Sequence, residues 1–111
     1  MVVRAALLLS ALALPATLPA QVRQEGAGAT QELDCGGSVA TVEGAGNTMT
    51  ITGRCTGLVI EGAGNRVTID LASRGSIKVA GASNIVLYRT PDGSKARVSI
   101  AGAGNRVSMQ R

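Results

Sequence analysis

The chain has 111 residues, room for one small domain, with 15 glycines, Tyr88 as its one aromatic residue and no His or Trp. Without His it has neither a Ser–His nucleophile nor a His-bearing zinc site, and one aromatic residue makes no platform for stacking successive nucleic-acid bases. The formal net charge of +4 is unevenly spread: residues 21–62 hold two basic against five acidic groups, a net of −3, and residues 63–111 hold eight against two, a net of +6.

Residues 1–20, MVVRAALLLSALALPATLPA, read as a secretory signal peptide. Arg4 supplies the positive start, residues 5–14 the apolar stretch, and residues 15–20 the breaker with a small residue at its end. Cleavage is expected between Ala20 and Gln21. The apolar stretch is too short to cross a bilayer, and no later run approaches the roughly 20 residues a spanning helix needs. No Cys lies near the cut, which argues against a lipoprotein, and an uncleaved membrane anchor is the competing reading. The expected location is periplasmic or secreted, with no membrane span after cleavage.

Residues 21–34 read as an N-terminal cap or a degenerate repeat. They hold EGAG at 25–28, but Ala29 stands where the later copies have Asn, and Gln24 and Gln31 fill slots that are apolar elsewhere.

Residues 35–111 carry the main signal. EGAGN at 43–47 returns at 61–65, then as AGASN at 80–84 and AGAGN at 101–105. Aligned on Asn47, Asn65, Asn84 and Asn105, the copies are 18, 19 and 21 residues apart, a period that signals a solenoid. Alternating apolar pairs precede each copy (Ala40/Val42, Leu58/Ile60, Ile77/Val79, Val98/Ile100). Others follow it (Met49/Ile51, Val67/Ile69, Val86/Tyr88, Val107/Met109). Alternation with period two predicts half-buried strands, and no segment beyond the leader carries a helical period.

The flanking inward positions are always seven apart, as from Val42 to Met49. A straight strand keeps such positions an even number apart, so the chain must bend inside the motif. Glycine permits the bend because it reaches positive φ without a Cβ clash, and Asn tolerates turn conformations. Stacked ~4.8 Å apart, the four asparagines are placed to bond along the axis as a ladder. The expected fold is an all-β solenoid of about four rungs, two short strands to a rung, with the Gly-Asn motif as its constant corner.

The opposite corner varies: TGRCTG (52–57), DLASRGS (70–76) and RTPDGSKAR (89–97), the last with a Pro91-Asp92-Gly93 turn signal. Insertions in repeat proteins gather on one side, often the binding side. Arg74, Lys78, Arg89, Lys95 and Arg97 cluster on or beside this corner and are the candidate contacts for an anionic envelope polymer such as lipopolysaccharide or an acidic glycan. No nucleic acid is expected.

Cys35 and Cys55 lie about one rung apart, so stacking brings their Cα atoms within disulfide range. A redox or metal pair is disfavoured because there is no C-x-x-C and no His. A solenoid exposes a strand edge at each end. The acidic first half and basic second half suit a head-to-tail contact with a second copy, the other expected partner.

The segments VEGAGNTMTI (42–51), IEGAGNRVTI (60–69), VAGASNIVLY (79–88) and IAGAGNRVSM (100–109), behind a secretion signal and with a Cys heading each of the first two rungs, resemble the bacterial domain-of-unknown-function family numbered 3060. The resemblance spans about residues 34–111, with departures at Ser83 and Tyr88. It implies an exported protein and brings no catalytic residues. Other chemistries fare poorly. Calcium-binding nonapeptides need Asp where these corners have Asn. The outward columns Thr48, Arg66, Ile85, Arg106 and Thr50, Thr68, Leu87, Ser108 are too mixed for an ice-binding array. Glu43 and Glu61 stand at equivalent positions, as a glycan-cleaving carboxylate pair would, but Ala80 and Ala101 end the column. No catalytic residue, metal or cofactor is expected; the leading expectation is a non-enzymatic structural or interaction module of the cell envelope.

Overall fold

The structure, a computed structural model, describes residues 21–110. The expected signal peptide lies outside them. The described residues form eight strands and no helix: β1 (Gln21–Ala27), β2 (Thr30–Asp34), β3 (Val39–Ala45), β4 (Thr48–Ala63), β5 (Arg66–Ala82), β6 (Ile85–Arg89), β7 (Arg97–Ala103) and β8 (Arg106–Met109). Every pairing is parallel, and each strand lies on the equivalent strand of the next rung. The result is an all-β solenoid. Gly26, Gly44, Gly62, Gly81 and Gly102 stack in one column, so the solenoid has about five rungs.

The rung beyond the expected four comes from residues 21–34. Glu25, Gly26 and Ala27 lie in register on Glu43, Gly44 and Ala45, and Leu33 lies on Ile51. A second difference concerns strand length. The expected two short strands per rung hold at the ends, but β4 and β5 run through the variable corner as strands of 16 and 17 residues. Register shifts on either side of Cys55, together with positive φ at Gly53 and Arg54, bend the backbone while it keeps its sheet pairing.

Twelve of the sixteen expected inward residues are buried in the lumen, from Ala40 and Val42 through Val86 and Tyr88. Leu71 joins them, as do Cys35 and Cys55, whose sulfurs form a disulfide with the Cα atoms 5.8 Å apart. Tyr88 also accepts a hydrogen bond at its hydroxyl from the Ala96 N–H, so the one large ring braces the longest variable corner. The last rung departs from expectation: Val98 and Ile100 are 43% and 45% exposed, and Val107 and Met109 are half-buried. A lumen side chain is covered from the rung on each side, and these four are covered from one side only.

The constant corner explains its composition. A Cβ at Gly44, Gly62, Gly81 or Gly102 would lie 1.8 Å from the carbonyl oxygen of the corner glycine in the preceding rung. The asparagines form the expected ladder, and it has a direction. Each Asn Oδ1 accepts the backbone N–H at the Asn slot of the preceding rung, from Ala29 to Asn47, Asn47 to Asn65, Asn65 to Asn84 and Asn84 to Asn105, all at 3.0 Å. Each Asn Nδ2 donates to the preceding rung's glycine carbonyl, at 3.0–3.1 Å to Gly26, Gly44, Gly62 and Gly81. Asn47, Asn65 and Asn84 are buried and Asn105 is half-buried. Because each Asn reaches the rung before it, an Asn at position 29 would find no such partner among the described residues.

Candidate functional site

The variable corner gathers the side chains free to do chemistry, since the lumen is filled by apolar groups and the constant corner by its own hydrogen bonds. Asp70 and Arg89 sit in register on adjacent rungs. The Arg89 guanidinium donates to Asp70 Oδ1 from Nε at 3.3 Å and Nη2 at 3.2 Å. Part of the Arg89 charge is therefore answered within the chain. Both residues line a surface cavity of about 310 Å³ together with Arg54, Leu71, Thr90 and Pro91. Two guanidiniums and one carboxylate leave this cavity with a net positive charge.

Arg54 was not among the sequence candidates. The signal for it is its place in TGRCTG, the same corner one rung earlier. The five candidates separate into smaller groups. Arg74 and Lys95 are exposed, and the Arg74 backbone N–H donates to Ser94 Oγ at 3.1 Å, which brings the two stretches of backbone together. Lys78 and Arg97 lie beyond the corner on the outer face, where Lys78 pairs in register with Ser99 and Arg97 with Ser76, so the two are diagonal neighbours. Arg89 stands with Arg54 and Asp70.

The longest insertion is tied by its own hydrogen bonds. Thr90 Oγ1 donates to the Ser94 carbonyl at 2.9 Å, and the Ser94 N–H donates to Asp92 Oδ1 at 3.1 Å. The Ser94 hydroxyl and N–H hold the Asp92 carboxyl below the ordinary carboxylate range. Gly93 supplies the positive φ of the turn.

The opposite charge lies at the other end of the column. Glu25, Glu43 and Glu61 stack in register on the outer face, and Arg23 bridges Glu43 at 3.1 Å and Glu25 at 3.8 Å. The Glu43 carboxylate is thus engaged by a cation. A second cavity, about 370 Å³, is lined by Glu32, Leu33, Asp34, Thr50 and Thr52. Ile85 and Leu87, which break the polar outer columns, are both half-buried. Among the described residues no three potential metal-binding side chains come together, and no helix is long and apolar enough to cross a membrane.

Residues 42–95 match the protein family described as "Protein of unknown function (DUF3060)". No curated protein and no solved structure matches the chain.

Proposed function

Through residues 42–95 this chain belongs to the DUF3060 family, and from that premise we propose that it is an exported, non-enzymatic structural or interaction module of the bacterial cell envelope. The observation that carries the reading is the buried bridge between Cys35 and Cys55, which ties the first described rungs together. Structural disulfides of this kind persist in oxidising compartments, and the leader-like residues 1–20 give a route to one. The apolar lumen leaves the corner and the two ends as the surfaces through which such a module acts.

Expression with the native leader in a bacterial host, followed by fractionation and intact-mass measurement, tests the export half. The expected product is periplasmic or secreted, begins at Gln21 and carries oxidised cysteines. A full-length, reduced chain in the cytoplasm overturns it. Turnover of a polysaccharide that is abolished by Glu61→Gln would overturn the non-enzymatic half.

A second reading, binding of an anionic polymer such as lipopolysaccharide or an acidic glycan, is favoured by Arg54 and Arg89 lining one cavity and by the exposed Arg74 and Lys95 on the same variable corner. Its mark is salt-sensitive retention on a resin bearing an acidic glycan, lost when Arg54, Arg74 and Lys95 are changed to Gln. Retention that survives those changes removes this reading.

A further inference from the structure

The two ends of the column expose strand edges with no partner among the described residues, β1 and β2 at one end and β7 and β8 at the other. We propose that these ends bind each other: the β7–β8 edge of one copy receives the β1–β2 edge of a second copy, so that copies continue a single column head to tail. The proposal rests on the export reading in one respect, since it takes Gln21 as the start of the associating chain.

Continuing the observed register places Val98 on Val22 of the second copy, Ile100 on Gln24, Val107 on Gln31 and Met109 on Leu33. The exposed Val98 and Ile100 gain the missing cover, and Val22 and Leu33, both half-buried, gain theirs. Glycine 26 supplies an independent argument. Its four counterparts are held to glycine by the carbonyl of the rung before them. Among the described residues a Cβ at Gly26 meets nothing closer than 3.9 Å, and its φ of +157° lies at the extended limit of the glycine-favouring range. Crowding among the described residues therefore does not call for glycine there. In the continued column the same Cβ would meet the Gly102 carbonyl of the neighbouring copy.

Charge sets the polarity. In residues 21–38, Arg23 faces Glu25, Glu32 and Asp34, a net of −2; in residues 97–110, Arg97 and Arg106 give +2. Head-to-tail contact joins opposite signs, and contact between like ends opposes equal signs. Arg106 would lie over Thr30 of the second copy, with Glu32 two residues further along. Within the chain Arg23 reaches Glu43 across the same offset at 3.1 Å. One internal feature is missing from the junction: Ala29 has no amide to donate to the Gly102 carbonyl or to accept the Asn105 N–H. The junction is therefore weaker than a contact between rungs of one chain, and association is reversible.

Sedimentation velocity on the exported chain, across concentration and salt, tests this. The expected mass rises with concentration at low salt and falls as salt is added. Ala29→Asn supplies the missing amide and should move self-association to a concentration lower by about tenfold or more, with no change in the denaturation midpoint of the dilute chain. Arg106→Glu should weaken association, and Arg106→Glu combined with Glu32→Arg should restore it. A single copy at every concentration for both the native chain and Ala29→Asn overturns the proposal. Association indifferent to Ala29→Asn and to Arg106→Glu overturns it as well, because it places the contact elsewhere. Intact mass reports separately whether residues 1–20 are gone, so failure of the export reading is distinguished from failure of the junction.

Discussion

Buried Asn65 takes part in four hydrogen bonds that involve a side-chain amide: Oδ1 accepts from the Asn47 N–H, its own N–H and Nδ2 both donate to Asn84 Oδ1, and Nδ2 also donates to the Gly44 carbonyl. Asn65→Ala leaves the Asn47 N–H and the Gly44 carbonyl without partners, and the expected loss is about 2–4 kcal/mol by urea denaturation. Asn65→Asp adds a pH signature. Its carboxylate would face the Gly44 carbonyl and Asn84 Oδ1, so burial and acceptor contacts raise its folded pKa above the unfolded value of about 4. The folded state then holds more protons, and the penalty is smallest below that value and grows as pH rises through the window above it. Ser83 tests the same corner from the opposite side. Its φ of +59° matches the left-handed slot held by Gly28, Gly46, Gly64 and Gly104. Ser83→Gly should stabilise the fold by about 1 kcal/mol, the relief of a side chain in that conformation less the entropy glycine adds to the unfolded chain. Repetition in the sequence made the asparagines legible as corner residues, but a repeat has no arrow. Only Ala29, a missing member, hinted that the amides reach towards the preceding rung.

Among the elements, the bridge between Cys35 and Cys55 closes a separation of 20 residues. Replacing both cysteines with Ser is expected to cost on the order of 3 kcal/mol, and adding reductant to the native chain should lower the denaturation midpoint similarly. The lumen of the middle rungs was readable because alternation with period two assigns each residue a side. The strands of the variable corner were not. Gly53 and Arg54 look like a break in the sequence, yet the register slips around Cys55 and pairing resumes, so β4 passes from one face to the next. Alternation was equally blind to position along the stack. Val98 and Ile100 carry the same pattern as Leu58 and Ile60, but burial depends on a further rung that local sequence cannot report. Ile60→Ala should therefore cost about 2–5 kcal/mol, and Ile100→Ala in the dilute chain much less. At the variable corner, the charge count located a basic region, whereas the pairing of Arg89 with Asp70 and the entry of Arg54 depended on which residues the rungs bring into line.

For the molecule as a whole, each rung touches only its neighbours, so stability should fall off from the middle to the ends. Hydrogen exchange is expected to be slowest in the shared ladder of β4 and β5 and fastest in β1, β2, β7 and β8. If copies stack, protection of β7 and β8 rises with protein concentration while that of β4 stays level. The single direction of the asparagine ladder also bears on how the chain is assembled during synthesis. Every Asn Nδ2 finds a glycine carbonyl 21–24 residues upstream, in sequence already made. A nascent chain emerging N-terminus first can thus lay each coil onto a finished one, each new Asn also accepting the N–H left open at the corner before it.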